Sequence, residues 1–378
     1  MRRTPTILVG IVLLLLALGI VMLASASSVK GTAVYKDSNY FLVRQLIWLA
    51  VALVAGGITA SVDYHKWQRW WVPLSAFSVL LLVMVLIPGV GTEINGSHRW
   101  LRLGSFSAQP SEFSKFAMII MMSAWMAKSG VKAGTFIEGI LKPGVLLATM
   151  MGLVFLEPDF GTTVLLAMVG AAIMFSGGSP ARYLVIGIVA GMILFAGAVM
   201  HDPVRAGRVL AFMNPEKYPK AAYHLQQSEQ AFTLGGPWGV GLGESLQKHF
   251  YLPEAHTDFI LAIIGEELGL AATILVVLLF AGFLACGTLI SMRAPDNVGR
   301  LMGMGFTLMT SMQAAINIGV VTGCLPTKGL ALPFISYGGS SLIVSIMMVG
   351  ALLNIARQAV MTEERAVVRA ARDKVRWV

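Results

Sequence analysis

Charge is scarce in this chain. Of 378 residues only 12% are charged and 56% are hydrophobic, whereas a soluble domain carries about 25% charged residues. That shortage excludes an ordinary soluble enzyme. Cysteine is nearly absent. Cys286 and Cys324 lie near opposite ends of different apolar segments, which excludes a disulfide framework and any Cys-based metal spacing; both read as small apolar residues. Nucleotide signatures are missing too. The run GGPWGVGLG (235–243) contains no G-x-x-x-x-G-K-[ST] and has no βαβ context, so it reads as a tight turn. A lipid-linked phosphate against its backbone N–H groups is the alternative. The net charge of +9 brings no basic patch with interleaved aromatics, so no nucleic-acid partner is expected.

What the chain has is long apolar runs. They lie near 7–25, 42–61, 71–88, 113–128, 141–156, 162–178, 183–200, 264–290, 301–321 and 336–356. Each approaches the roughly 20 residues that cross a bilayer as a helix, the form that leaves no backbone group unpaired in lipid. The expectation is an all-α integral membrane protein with about ten transmembrane helices. Residues 1–357 form its membrane domain, with a large extracytoplasmic loop, 201–257, between helices 7 and 8. A basic tail, 358–378, follows. EPDFG (157–161) interrupts one apolar stretch, because Pro158 and Gly161 break helix geometry and two acids do not sit in lipid unaided. The first run resembles a signal peptide, but its apolar core is long and a membrane domain follows at once, so it reads as a retained span.

With the N-terminus inside, sixteen of the 28 Lys and Arg fall on the inner side, from Arg2 and Arg3 to the tail. Twelve fall outside, five of them in the long loop 201–257, which the positive-inside rule discounts. Both termini are therefore expected inside, and the inner basic fringe faces anionic lipid. The inner loops are short and plain. Three outer segments are polar and Gly-rich: 89–112, 201–257 and 322–341. Function is expected on the outer face, where ATP is absent and the driving force must come from the substrate or a gradient. NGS (95–97) matches a glycosylation acceptor, a motif short enough to arise by chance.

Two stretches carry candidate chemistry. In QPSEFSKF, Ser111 is a plausible helix N-cap, and Glu112 and Lys115, three apart, share a face and can pair. They read equally as an ion pair fixing the helix and as the charged wall of a cavity. In YLPEAHTDFILAIIGEELG (251–269), a helix expected just after Pro253 puts Asp258 within about a turn of its start, at the membrane boundary. There the helix dipole favours a carboxylate. N-terminal capping and a functional role both remain open for Asp258, while Glu266 and Glu267 are expected to pair with basic residues of neighbouring helices.

Several of these stretches together resemble the SEDS family (shape, elongation, division, sporulation). They are NGSHRWLRLG with QPSEFSKF, then EPDFGTT, then QQSEQAFTLGGPWGVGLGESLQKHFYLPEAHTDFI with GEELG, then PTKGLALPFISYGGSS. The similarity runs in family order from the first span to about Arg357, and YLPEAHTDF and PTKG…SYGGSS are nearer the family's division member than its elongation member. Two residues depart from the family pattern. His224 stands where Gln is expected, although Tyr223, Gln227 and Ser228 fit, and His98 stands where a basic or small residue is usual.

The resemblance implies ten helices with both termini inside and a peptidoglycan glycosyltransferase at the outer face of the cytoplasmic membrane. Its substrate would be lipid II, a disaccharide-pentapeptide on undecaprenyl diphosphate. Its partners would be a class B penicillin-binding protein and other divisome proteins. It assigns the general base to Asp258, which would take the proton of an attacking sugar hydroxyl. The leaving diphosphate needs positive charge, for which Arg99, Arg102, Lys115 and Lys328 are the outward candidates. The remaining candidate substrate contacts are Glu112, Gln227, Ser228, His256, Thr257, Ser336 and Ser340. No cofactor is firmly implied; a divalent cation, Mg or Mn, is compatible with the reaction, but no ligand set stands out. Two rival readings are a lipid II flippase, which would want charges strung through the bilayer, and a non-catalytic scaffold, in which Asp258 would be dispensable.

Overall fold

A computed structural model describes residues 3–94, 97–104 and 106–375. Arg2, and Asn95 and Gly96 of the NGS motif, lie outside the described residues, as do the side chains of Glu93 and His98. In chain order the helices are α1 (Arg3–Lys30), α2 (Tyr40–Ser61), α3 (Tyr64–Arg69), α4 (Trp71–Leu86), α5 (Pro110–Ser129), α6 (Lys142–Leu156), α7 (Phe160–Ser176), α8 (Ala181–His201), α9 (Pro203–Met213), α10 (Pro219–Gly235), α11 (Ile260–Met292), α12 (Asn297–Val321) and α13 (Gly339–Val375). Each of the ten apolar runs falls on one of these helices. Seven helical segments among the described residues are long and apolar enough to cross a membrane. The others are α4 and α7, which are shorter, and α5, which is more polar; length and composition alone therefore stop short of ten crossings.

The structure adds detail to the sequence-based expectations in five places. The loop between α4 and α5 is not irregular. Gly91–Ile94 (β1), Ser97–Leu103 (β2) and Phe106–Ala108 (β3) form an antiparallel sheet in the order β1-β2-β3, which pairs backbone groups that a bare loop would leave open. The loop 201–257 contains α9 and α10. Helix α5 begins at Pro110 with Gln109 as its N-cap, so Ser111 is inside the helix. Helix α11 begins at Ile260, not just after Pro253; residues 253–259 are turns, and Asp258 precedes the helix. The expected tail boundary at 357 is bridged by α13, which runs on to Val375.

Burial is inverted relative to a soluble protein. Helix α5 is buried on nearly every face, Phe116 to Met122 included, and packs with α7 and α12 at the centre. On α8 only Leu184 is buried, while Val185, Ile186, Val189, Ile193 and Leu194 are exposed apolar residues, the surface that lipid covers. Small residues set the closest approach. On α2, Gly56 and Thr59 lie against Gly350 of α13, where a Cβ would meet the Gly56 carbonyl, and the Thr59 hydroxyl donates to the Gly56 and Met347 carbonyls at 3.0 Å each. Such small-residue seams are how helices associate without a hydrophobic drive between them. Helix α1 is part of the bundle: Leu8, Leu15 and Met22 are fully buried, and Gly19 touches the backbone of Phe334 and Ile335.

At one end of the bundle a polar knot ties the α2–α3 and α11–α12 connections to α13. His65 lies 2.7 Å from both Asp63 and Asp296. Tyr64 donates to Asp296 at 2.6 Å, and Gln358 of α13 donates to Asp63 at 2.8 Å. Burial works against the charged imidazole, but hydrogen bonds to Asp63 and Asp296 outweigh it and raise the His65 pKa.

The break in α11 explains the glycine-rich run. Gly269 has φ 76° and ψ −174°, so the carbonyls before it and the N–H groups after it lose helical partners. The chain from 236 to 241 fills the gap. Val240 and Gly241 N–H groups donate to the Glu266 and Glu267 carbonyls at 2.9 and 3.0 Å, and the Leu270 N–H donates to the Gly236 carbonyl at 2.9 Å. The run is thus a plug for a broken helix, and its Gly239, Val240 and Gly241 amides are engaged with protein carbonyls. Below it, two buried carboxylates hold the rest of the loop. Glu266 accepts from the Ser245 hydroxyl and the Leu246 N–H; Glu267 accepts from Ser25 of α1 at 2.6 Å and Lys248 at 3.0 Å. Their partners come chiefly from the loop rather than from basic residues of neighbouring helices.

Gly239 has φ +81°, and a Cβ there would fall on the Glu267 carbonyl oxygen. Gly239→Ala should destabilise the protein by about 1–3 kcal/mol, read as a lower melting temperature in detergent. Gly10→Ala, where nothing lies within 4 Å of the added Cβ, should leave it unchanged.

Candidate active site

Two segments, 253–259 before α11 and 328–338 before α13, are bound to each other through backbone and hydroxyl groups. The Tyr337 N–H donates to the His256 carbonyl at 3.1 Å, and the Ser336 hydroxyl donates to the Thr257 carbonyl at 2.6 Å. Helix α12 supports both from below. Asn317 donates to the Asp258 and Leu330 carbonyls at 2.7 and 2.6 Å, and Gln313 donates to the Ala331 carbonyl at 2.8 Å. Gln313 in turn accepts from Lys115 at 2.8 Å, and Lys115 pairs with Glu112 at 2.6 Å. The ion pair expected from spacing is therefore present and almost fully buried. It ends a chain of contacts that leads to the backbone beside Asp258, so it supports the site floor from α5.

Asp258 is half-buried in this frame. Gly329 approaches its carboxylate so closely that a Cβ would stand 2.6 Å from Oδ2. Burial, then the neighbouring negative charges of Glu254 and Asp159, push its pKa up to about 7, against the opposing pull of Arg99 and Arg208. An acid in that range exchanges its proton at neutral pH, which suits a general base.

Other charges gather around it. Arg99 on β2 donates to the Glu157 and Pro158 carbonyls at 2.9 and 2.6 Å, which holds the sheet against the EPDFG break. Asp159 caps α7, accepting from the Thr162 N–H at 3.1 Å. Glu157 is fully buried, and burial, then Asp159, push its pKa up to about 8. Lys328 lies 5.0 Å over the Phe195 ring of α8; burial lowers its pKa while Asp159 acts the other way.

The remaining sequence candidates separate from this group. Arg102 is exposed, and its charge acts on Tyr40 rather than on Asp258. His256 is buried between Phe41 and Tyr337, with ring centroids at 4.8 and 5.9 Å; burial, then Lys30, lower its pKa to about 4, so it is a neutral wall. The Ser228 hydroxyl donates to the Val321 carbonyl at 2.6 Å. Ser336 is engaged as above, Ser340 accepts the Gln109 N–H at 3.0 Å, and Thr257 donates to Glu254 at 2.8 Å. These hydroxyls position backbone rather than offering open contacts. Gln227 is half-buried on α10, and the departing His224 stacks on Phe259 at 5.7 Å, next to Asp258. Sequence reasoning missed Asp159, Glu254, Arg208, Gln313, Asn317 and Gly329 as members of the site. The available signal was Asp159 and Glu157 interrupting an apolar run. Among the described residues no group of three metal-ligating side chains comes together.

The family model of FtsW, RodA and SpoVE, described as cell cycle protein, matches residues 5–361. The chain belongs to this family. It is 43% identical over 350 residues to a probable peptidoglycan glycosyltransferase FtsW of Trichlorobacter lovleyi, covering 92% of each chain. It is 40% identical to the stage V sporulation protein E of Bacillus subtilis, over 94% of this chain and 98% of that one. Among solved structures it is similar to a chain from a peptidoglycan synthase complex that coordinates polymerization and crosslinking, with TM-score 0.77 and 28% identity over 93% of this chain and 97% of that one. It is also similar to Thermus thermophilus RodA, with TM-score 0.70 and 25% identity over 93% and 96%. The multi-pass membrane class expected from the apolar runs is shared with this family.

Removing one partner of a buried ion pair strands the other charge, at a cost of about 3–5 kcal/mol. Glu112→Gln alone should therefore destabilise the protein more than Glu112→Gln with Lys115→Met. Melting temperatures of the two single variants and the double variant test this; additive losses would mean the pair does not couple.

Proposed function

We propose that this chain is a peptidoglycan glycosyltransferase that polymerises lipid II at the outer face of the cytoplasmic membrane, in septal wall synthesis. It crosses the membrane ten times with both termini inside, and it works with a class B penicillin-binding protein among other divisome proteins. The observation that carries the reading is Asp258: a carboxyl tuned to about 7, outside the spans, at the mouth of α11 and among outward cations. Ten helical apolar runs and the Lys/Arg asymmetry support the topology.

The sugar 4-hydroxyl of one lipid II attacks the anomeric carbon of the growing strand. Asp258 takes the hydroxyl proton as the new glycosidic bond forms. The bond to the lipid diphosphate breaks, and the diphosphate leaves with the bonding electrons. Arg99, Lys328 and Arg208 supply positive charge for it. The activated donor provides the driving force, so no nucleotide is needed. Mg²⁺ held by a diphosphate needs only one or two protein carboxylates; Asp159 would hold it, leaving Asp258 free as the base, and it would supply further charge neutralisation.

Asp258→Asn keeps the shape but removes the base. With the partner present and labelled lipid II, glycan synthesis should fall by about 10²–10⁴, with insertion and partner binding retained. Normal strand synthesis would end the assignment. The rate of the unaltered protein should rise with pH through about 7 as Asp258 loses its proton. Glu254 is one of the charges that raise this pKa, so Glu254→Gln should move the rising limb to lower pH; an unmoved limb would assign it to another group.

A further inference from the structure

A groove of about 580 Å³ runs down the lipid-facing side of the bundle between α4 and α6. Its walls are apolar. Val79 and Val83 of α4 form one side, and Thr149, Gly152, Leu153 and Leu156 of α6 the other. The Thr149 hydroxyl is turned back onto the Val145 carbonyl at 2.9 Å, so it adds no open polar group. The groove is left open at Gly152, which has no side chain; nothing lies within 4 Å of where its Cβ would stand. A glycine within a helix weakens that helix relative to alanine, and packing does not require one here.

The outer end of the groove meets the candidate site. Leu156 is its last α6 residue, and the next two carbonyls, of Glu157 and Pro158, are those that hold Arg99. A guanidinium has five N–H donors, and two of them are engaged there, leaving others for an anion. An apolar channel that opens to lipid at its side and ends under a fixed cation matches one kind of molecule: a diphosphate joined to a long hydrocarbon chain.

We propose that the α4–α6 groove binds the polyprenyl chain of the lipid-linked diphosphate substrate, with Arg99 at the diphosphate end. This rests on the functional reading above. The groove spans Thr149 to Leu156, about 11 Å along the helix, so it holds only the prenyl units nearest the diphosphate. Ordinary bilayer phospholipid is the competing occupant, and it would give no dependence on substrate tail.

The test compares lipid II carrying its undecaprenyl chain with an analogue whose diphosphate carries a methyl group in place of the chain, using the full-length protein with its partner. Gly152→Leu fills the groove. It should lower the preference for the long-tailed substrate, the ratio of the two kcat/KM values, about tenfold, corresponding to the lost burial of one or two methylenes. An unchanged ratio would overturn the proposal. A second measurement does not need catalysis. A polyprenyl diphosphate with a photoreactive group in its first prenyl unit should crosslink to α4 and α6 of the unaltered protein, and excess unlabelled polyprenyl diphosphate should compete. Crosslinks confined to other helices, or competed equally by phospholipid, would overturn it. If the unaltered protein polymerises neither substrate, the functional reading fails, and the crosslink still decides the groove.

Discussion

In lipid, a peptide group without a hydrogen-bond partner is too costly to leave bare. This constraint governs where the protein can depart from regular helix. It departs at Gly269, at the EPDFG break and in the two segments flanking the candidate site, and at each place specific groups restore the missing bonds. Amides of the glycine-rich run complete the break in α11. Arg99 and Asp159 secure the EPDFG break. Asn317 and Gln313 reach up from α12 to carbonyls of the site segments. Arg99, Asp159, Asn317 and Gln313 are therefore there to hold backbone in a shape that helix alone cannot give.

The electrostatics of the site follow from the same scaffold. Three carboxylates near one another would ordinarily repel and protonate. Burial and then Glu254 and Asp159 raise the Asp258 pKa, Arg99 and Arg208 partly offset them, and it comes to about 7. The lipid-facing groove adds an apolar half to this polar one. Together they form an amphipathic site at the membrane edge, which suits a substrate with a charged head and a hydrocarbon tail.

Much of this was legible in the sequence, because apolar runs of fixed length are local signals. The Glu112–Lys115 pair was visible from helical spacing, and the helix break at EPDFG from Pro158 and its acids. What was hidden depends on distant residues meeting. Asn317 and Gln313 look like ordinary polar positions in a span until the loop they hold is seen. The start of α11 was misplaced because Pro253 is a common helix-start signal, whereas backbone contacts from Tyr337 and Asn317 keep 253–259 in turns. Helix propensity favoured Ser111 as a cap, but Pro110 already serves as the first helical residue. The sheet at 91–108 was missed because its strands are short and read as a polar loop.

The plug at Gly269 also decides how the molecule can come apart. The first part of α11, Ile260–Leu268, shares its terminal carbonyls with the chain at 240 and 241, and Glu266 and Glu267 bind 245–248. Neither piece can open without stripping partners from the other. They form one cooperative unit for local unfolding, joined to the part of the helix beyond Gly269 through the Leu270 N–H on the Gly236 carbonyl. In amide exchange, residues 238–248 and 260–268 should lose protection together, although they are far apart along the chain.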